Sequence, residues 1–374
     1  MLKKAVSILL VLFIALSFVG CGNNSSNNGS NEATDSDSFK LGAFLQLTGG
    51  NSAYGLEAKN AIELAVEYIN EQGGFNGQKI QFIPYDTQGS PEEAVKIATK
   101  LIENDKVNAV IGSVNSGEVL AAAGYLNDAG IVTFGLGTSP TWMEKDWPFV
   151  FRASMNNKTA APLTADMLVK LGLKSVGIFK GQDDASLSTA EAFKKACEER
   201  GIKVTADESY DAGDTDFSAQ IANILNTNPQ TVYISVIGET GPIIVKQLRQ
   251  YGYNGIIFDK ESFMISQIEI AGKEASNYIA FANPYVTYSK VEDCDIPLVR
   301  DFIERYEAKY GNLPATDSSY RGWDTMMVLW EASKIAGSNE PDAIRQAVHQ
   351  VKIDGLGGTL DRSEEHTSEL QSRL

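Results

Sequence analysis

Short apolar runs alternate with amphipathic helical segments along most of this 374-residue chain, and this alternation limits the possible folds more than any other feature. Two of the runs, VNAVIG from Val107 and VYISVI from Val232, are apolar almost from end to end. Such strands are typical of parallel sheets that helices cover on both faces. A chain that alternates strands and helices in this way is predicted to have an α/β fold.

The individual strands and helices are predicted from their residue types and from the spacing of their apolar residues. The predicted strands are Lys40–Leu47, Ile80–Tyr85, Val107–Gly112, Ile131–Gly135, Val176–Lys180, Val204–Tyr210, Thr231–Ile237 and Ile256–Phe258. The predicted helices are Leu56–Asn70, Pro91–Glu103, Gly117–Asp128, Thr159–Leu171, Thr189–Arg200, Phe217–Asn226, Gly241–Tyr251, Ile296–Tyr310, Ser318–Ala336 and Pro341–Val351.

One sheet does not easily hold so many βα units, and a chain of this length usually forms two domains. We therefore expect two doubly wound lobes, with crossovers at Met155–Lys158 and Asn283–Thr287 and a third crossover near the C-terminus. The expected first lobe is residues 39–156 and 284–338. The expected second lobe is residues 157–283 and 339–361.

The N-terminal residues are predicted to be a targeting segment. Lys3 and Lys4 precede an apolar run, Ala5–Val19, which is too short for a membrane-spanning helix. The sequence FVGC ending at Cys21 resembles a bacterial lipobox, so residues 1–20 are expected to be a signal peptide and Cys21 a lipidated residue. A plain signal peptide with a chance cysteine is the alternative. Residues 21–38 are rich in Asn, Ser and Gly, which predicts a flexible tether.

The C-terminal residues also differ from the rest. DGLGGTLD, ending at Asp361, reads as a turn that enters a strand. Residues 362–374 show neither the helical nor the strand period of apolar residues, and they resemble the translation of a widely used sequencing adapter. They are excluded from the fold prediction, and the native chain is expected to continue differently beyond Asp361.

Charge and residue types exclude several functions. A net charge of −16 argues against nucleic acid as a partner. Cys197 and Cys294 lie in no metal-binding pattern, although a disulfide between them stays open. His349 is the only histidine before residue 362, and no nucleophile or metal motif accompanies it. We expect no catalysis, metal or cofactor. The acidic stretch from Asp211 is expected to be a solvated loop rather than a calcium site.

Three quoted stretches together resemble the leucine/isoleucine/valine-type periplasmic binding proteins. They are Leu47–Asp86, the segment VNAVIGSVNSGEVLAAAGYLNDAGI from Val107, and AGDTDFSAQI from Ala212. The likeness covers about residues 39–361. It implies a type I periplasmic-binding fold, with two parallel-sheet lobes joined by three crossovers and a ligand between them. It also implies an ABC permease and its ATPase subunits as partners, and a monomeric protein.

Candidate ligand residues lie in loops that follow strands, where α/β sheets bind their ligands. In the first lobe these loops are TGGNSAYG, SVNSG and LGTSPT, beginning at Thr48, Ser113 and Leu136. Helix N-termini there would attract an anion, and hydroxyls would donate hydrogen bonds. The first-lobe candidates are Tyr54, Ser116, Leu136, Gly137 and Thr138. Simple turns and helix caps are the alternative for all three loops.

In the second lobe the resemblance implies that Glu261 binds the ligand ammonium, with Asp259 as a nearby competitor. Asp184 and Ile237 occupy positions where relatives often carry cleft-lining aromatic residues. The expected function is a lipid-anchored receptor for an amino acid, branched-chain or otherwise apolar, outside the cytoplasm. The same fold binding a small amide, a urea-like solute or a dicarboxylate is the alternative. A sensory domain and a surface-anchored enzyme are more remote.

Overall fold

The computed structural model describes residues 38–153, 157–211, 213–260, 263, 265–283, 285–361 and 371–373. Within these residues the chain forms two parallel sheets of five strands each and one small antiparallel sheet. Each parallel sheet belongs to one lobe. The two lobes have the same strand order, which decides where their functional loops lie.

The first lobe contains the sheet β2-β1-β3-β4-β5. Its strands are β1 (Phe39–Leu45), β2 (Ile80–Asp86), β3 (Ala109–Ile111), β4 (Val132–Gly135) and β5 (Val150–Arg152). Its first helices are α1 (Ser52–Glu71), α2 (Pro91–Lys100) and α3 (Ser116–Asp128). A π-helical turn at Leu101–Asp105 follows α2. Short strand β5 was not predicted from the sequence.

The second lobe contains the sheet β10-β9-β8-β6-β7. Its strands are β6 (Ser175–Lys180), β7 (Lys203–Ser209), β8 (Thr231–Ser235), β9 (Ile257–Asp259) and β10 (Ile279–Phe281). Its helices are α4 (Asn157–Lys170), α5 (Asp184–Glu199), α6 (Ser218–Asn226), α7 (Thr240–Gln250) and α8 (Ile265–Ala271). Neither α8 nor β10 was predicted from the sequence.

Alternate residues of β1 explain why helices cover both faces of the first sheet. Leu41 and Ala43 lie in one apolar cluster with residues of α1. Phe44 points to the other face, where it packs with Ala94 of α2 and Ala122 of α3. Because successive side chains of a strand point to opposite faces, a strand that is buried on both must be apolar throughout.

The final elements are α9 (Pro297–Tyr310), α10 (Asp317–Ala336), α11 (Pro341–Val348) and the antiparallel strands β11 (Lys352–Gly355), β12 (Gly358–Asp361) and β13 (Gln371–Arg373). They differ from the expected organisation. Ile344, Val348 and Leu360 are buried in the core of the first lobe, together with residues of β1 and α10. The assignment of residues 339–361 to the second lobe is therefore wrong, because the apolar face of α11 packs on the first.

The described chain passes between the lobes twice, after β5 and after β10, and no third crossing occurs within residues 285–361. Cys197 and Cys294 are buried in different clusters and are not bonded to each other. Burial raises the pKa of the Cys197 thiol to about 12, which makes it unreactive at neutral pH. Among the helices described here, none is both long and apolar enough to cross a bilayer.

Candidate functional site

The candidate site is a cavity of about 430 Å³ between the two lobes. Both sheets have the order 2-1-3-4-5 in their own strand numbering, and ligands of such sheets bind beyond the strand ends where the order reverses. The cavity lies at those ends, after β1, β2 and β3 in one lobe and after β6 and β8 in the other. Its described lining residues are Gln46, Gly50, Asn51, Gln88, Gly89, Pro91, Asn115, Ser116, Gly117, Glu118, Asp183, Asp184, Ala185 and Ile237.

A hydrogen-bonded polar network forms the first-lobe wall of the cavity. Asn115 Nδ2 donates to Gln46 Oε1 at 2.6 Å and to Glu118 Oε1 at 2.8 Å. Thr87 Oγ1 donates to the other carboxylate oxygen of Glu118 at 2.8 Å. Glu118 is only 1% exposed, and burial raises its pKa above the ordinary value despite these hydrogen bonds.

Sequence reasoning missed Gln46 and Glu118 as cavity residues. One signal for Glu118 was available, since it lies three residues after Asn115 at the start of a helix and therefore shares its face. Gln46 follows an apolar strand directly, which places it at the carboxyl end of the sheet. Neither position alone distinguishes a ligand contact from an ordinary loop residue.

Ser116 lies at the first position of α3 and lines the cavity, as does its neighbour Gly117. Its hydroxyl accepts a hydrogen bond from the backbone N–H of Ser139 at 3.1 Å, which leaves the hydroxyl proton for another acceptor. Gly137 packs against it so closely that an added Cβ would lie 2.5 Å from Ser116 Oγ and 2.9 Å from its Cα. The loop after β4 therefore requires glycine at residue 137.

Two buried arginines hold that loop by its backbone carbonyls. Arg152 donates to the carbonyl oxygens of Thr138 and Ser139 at 2.9 and 2.8 Å. Arg321 donates to the carbonyl of Leu136 at 2.6 Å and pairs with Asp317 at 2.9 Å. Neither Leu136, Gly137 nor Thr138 is among the residues that line the cavity. Of these three candidates, Gly137 is the one that packs directly against Ser116.

The loop after β1 is held by a carboxylate of the neighbouring strand. Asp86 accepts hydrogen bonds from the backbone N–H groups of Leu47 and Gln88 at 2.8 and 2.9 Å, and from the Thr48 hydroxyl at 2.7 Å. Slight burial opposes ionisation of Asp86, but these hydrogen bonds outweigh it and hold its pKa below the ordinary value. Asp86 thereby fixes the turn that leads to the cavity.

Direct contacts join the two lobes around the cavity. Thr141 Oγ1 donates to Asp184 Oδ2 at 2.8 Å, and Ser188 Oγ lies 3.1 Å from Ser139 Oγ. At another part of the rim, Gln267 of α8 lies 3.5 Å from the Tyr54 hydroxyl. Tyr54 is thus buried where the two lobes meet. With these bridges made, the lobes are in a closed arrangement.

The second-lobe wall is acidic. Asp183 and Asp184 line the cavity at the start of α5, which begins five residues earlier than predicted, and Ile237 follows β8. Asp183 accepts a hydrogen bond from the backbone N–H of Ser186 at 2.8 Å and so caps α5. Asp259 is buried at the end of β9. Glu261 lies outside the described residues, as does Cys21.

A two-lobed α/β chain with a cavity between facing strand ends has the architecture of a solute-binding protein. The sequence matches the family described as "Periplasmic binding protein" over residues 38–372, so the chain belongs to that family. Its fold is the type I periplasmic-binding fold, and the predicted resemblance to the leucine/isoleucine/valine-type proteins is confirmed. Members of this family bind substrates and are not enzymes, and the family implies a location outside the cytoplasm.

Individual proteins similar to this chain have names consistent with this family. The chain is 26% identical to Leu/Ile/Val-binding protein homolog 3 of Brucella melitensis over 89% of this chain and 88% of that protein. It is 28% identical to a solved leucine binding protein, LivK of Thermotoga maritima, with a TM-score of 0.76 over 86% and 90% of the two chains. A LivJ structure from Streptococcus pneumoniae, in complex with isoleucine, shares the fold at 23% identity, with a TM-score of 0.78 over 89% and 93%.

Proposed function

We propose that this chain is the solute-binding protein of an ABC importer, that it works as a monomer, and that its lobes close on a free amino acid. The observation that carries the proposal is the cavity of about 430 Å³ between the starts of α3 and α5, which belong to opposite lobes. Cavities of this size are typical of small-molecule sites. The names of the relatives, which mention leucine, isoleucine and valine, support an amino acid as the solute.

The two helix starts differ in a way that orients a zwitterion. α5 has a capping side chain and two carboxylates, Asp183 and Asp184, so it repels an anion. Asn115, which precedes α3, makes no capping hydrogen bond because its amide faces Gln46 and Glu118. The first N–H groups of α3 and the Ser116 hydroxyl therefore suit the ligand carboxylate. The ammonium then faces the second lobe.

In that orientation Glu261 is the proposed ammonium partner, and Asp259 is the competing candidate. A carboxylate–ammonium hydrogen bond is stronger in a closed cleft than at a surface because water screens it less. Closure through Thr141, Asp184, Ser139 and Ser188 would exclude that water. It would also give the permease a surface that exists only in the closed state.

A small amide or urea-like solute is the second candidate, and the polar lining of the cavity favours it. Four carboxamide side chains, those of Gln46, Asn51, Gln88 and Asn115, line the cavity. A dicarboxylate is disfavoured, because the same lining carries the carboxyl groups of Glu118, Asp183 and Asp184.

The shift of the unfolding temperature separates these candidates, since a solute that binds only the folded state raises it. We expect at least one free α-amino acid to stabilise the protein, and amides and diacids to have no effect. Gly137→Ala should reduce that stabilisation strongly, because its Cβ would displace Ser116. Gly124→Ala is the control, since Gly124 lies on α3 outside the cavity lining and its added Cβ would come closest to the Trp147 side chain, at 3.1 Å. Stabilisation by an amide but by no amino acid would replace the first candidate with the second.

We also propose that Cys21 carries a lipid that anchors the protein to the outer face of the cell membrane, with residues 21–38 as the tether. The lipobox-like FVGC sequence and the polar segment after it support this. Radioactive fatty acid fed to expressing bacteria should label the wild-type protein and not Cys21→Ser. Equal labelling of both proteins, or of neither, would contradict the anchor.

A further inference from the structure

The chemical character of the cavity bears on which amino acid it takes. Three of its described lining side chains end in carboxyl groups, and four end in carboxamides. None of the lining residues described is Lys, Arg or His. Among the described lining residues, the apolar side chains are those of Pro91, Ala185 and Ile237. A binding site for a branched aliphatic side chain would instead be lined mainly by apolar groups.

The most deeply buried part of this lining is on the first lobe. Gln46 is 5% exposed and Glu118 is 1% exposed, yet both line the cavity. Ser113, Asn115 and Thr87 each use one donor on Glu118, and the two carboxylate oxygens together can accept about four hydrogen bonds. The network therefore keeps Glu118 fixed in position with acceptor capacity to spare.

An aliphatic ligand would leave that capacity unused. A leucine side chain in the cavity would offer no donor to Glu118, Asp183 or Asp184, so the polar lining would lose its water without gaining a hydrogen bond. Loss of solvation without a partner costs about 1–3 kcal/mol for a neutral polar group, and more for a charged one. A ligand side chain with N–H donors would restore those bonds. Its donors would also complement the acidic wall of Asp183 and Asp184.

We infer that the amino acid bound here has a side chain that donates hydrogen bonds from nitrogen, as a carboxamide or an ammonium does, and that Glu118 determines this specificity. The inference rests on the proposed function and narrows its substrate class. It replaces the branched-chain or apolar ligand expected from the family resemblance. Specificity of this kind is strong, since a site built to bind a substrate N–H group rejects analogues that lack it.

Asparagine, leucine and aspartate provide a matched test on the wild-type protein, because their side chains have nearly the same shape. Glutamine, methionine and glutamate form a second, longer set, and lysine adds an ammonium. Titration calorimetry should give the best nitrogen-bearing ligand an affinity at least about tenfold higher than its aliphatic and carboxylate counterparts. Leucine or methionine binding as tightly as the nitrogen-bearing ligand would overturn the inference and leave the proposed function intact. Failure of every free amino acid to bind would overturn both.

Glu118→Gln tests the residue itself. The substitution keeps the side chain's volume but replaces one acceptor with a donor, so the preference for the nitrogen-bearing ligand over its aliphatic counterpart should fall at least about tenfold. The matched control is Glu92→Gln, which changes an exposed glutamate of α2. An unchanged preference in a folded Glu118→Gln protein would contradict the role of Glu118. If that variant does not fold, the wild-type comparison still decides the side-chain class.

Discussion

Arg321→Met is expected to destabilise the protein by about 3–5 kcal/mol, measured as the free energy of unfolding in urea. Arg321 and Asp317 form an ion pair in which both side chains are only 4% exposed. Removing the guanidinium leaves the Asp317 carboxylate buried without its cation, although Asn283 still donates to it at 3.0 Å. Arg321 also holds the Leu136 carbonyl, so the loop behind Ser116 should loosen and ligand affinity should fall as well.

Helix α9 offers a control with the same residue types and spacing. Arg305 and Asp301 are also paired at 2.8 Å across one helical turn, but their side chains are 41% and 53% exposed. Arg305→Met should therefore cost at most about 1 kcal/mol. The double variant Arg321→Met/Asp317→Leu should recover much of the loss, because it leaves no unpaired buried charge. Equal effects of Arg321→Met and Arg305→Met would contradict the structural role of the buried pair.

Asp324→Asn is expected to remove a pH dependence of about 4 kcal/mol from the stability of the protein. Asp324 is fully buried on α10, where it accepts hydrogen bonds from the backbone N–H of Leu356 and from the Tyr285 hydroxyl. Burial outweighs these hydrogen bonds and raises its pKa to about 7. Between the unfolded-state pKa, about 4, and the folded-state pKa, the folded protein binds the extra proton. Stability should therefore decrease as pH rises through this range.

Urea unfolding at several pH values between about 4 and 8 would measure this. Burial also raises the pKa of Glu57 and Glu118, which contribute with the same sign, so the informative quantity is the difference between wild type and Asp324→Asn. Asp128→Asn, at the exposed end of α3, is the control and should leave the pH profile unchanged. Parallel profiles for wild type and Asp324→Asn would contradict a buried, proton-binding Asp324.

Most strands of this fold can be predicted from the sequence because each is marked by an apolar run of neighbouring residues. Strands such as β6 and β8 are buried on both faces, and an apolar run between turns is sufficient to identify them. β5 and β10, with three residues each, were not predicted, although β3 and β9 are equally short and were, so length alone does not explain the difference. The lobe on which α11 packs cannot be predicted from the neighbouring sequence either. Its apolar face would suit either lobe, and only tertiary packing places Ile344 in the first.

In the candidate site, too, some residues could be predicted from the sequence and others could not. Ser116, Asp184 and Ile237 follow predicted strands, so the sequence could place them at the carboxyl edges of the two sheets, and they line the cavity. Leu136 and Thr138 follow a strand equally well, but buried arginines from distant parts of the chain take up their backbone carbonyls. In the sequence, Glu118 is an acidic residue of a predicted helix. In the fold, Thr87 and Asn115 donate hydrogen bonds to its carboxylate. For Leu136 and Glu118, contacts with residues far away in the sequence, Arg321 and Thr87, decided the outcome.

In the proposed function, the two lobes close on both charged ends of a free amino acid. Titration calorimetry with the amino acid that stabilises the protein most, alongside its N-acetyl derivative and its carboxamide, tests this most directly. We expect saturable one-to-one binding of the free amino acid and a loss of affinity of at least about tenfold for each blocked form, since each removes one charged partner. Glu261→Gln should then weaken the free amino acid without further weakening the N-acetyl derivative. Blocked forms that bind as tightly as the free amino acid would show that the lobes do not bind both charged ends.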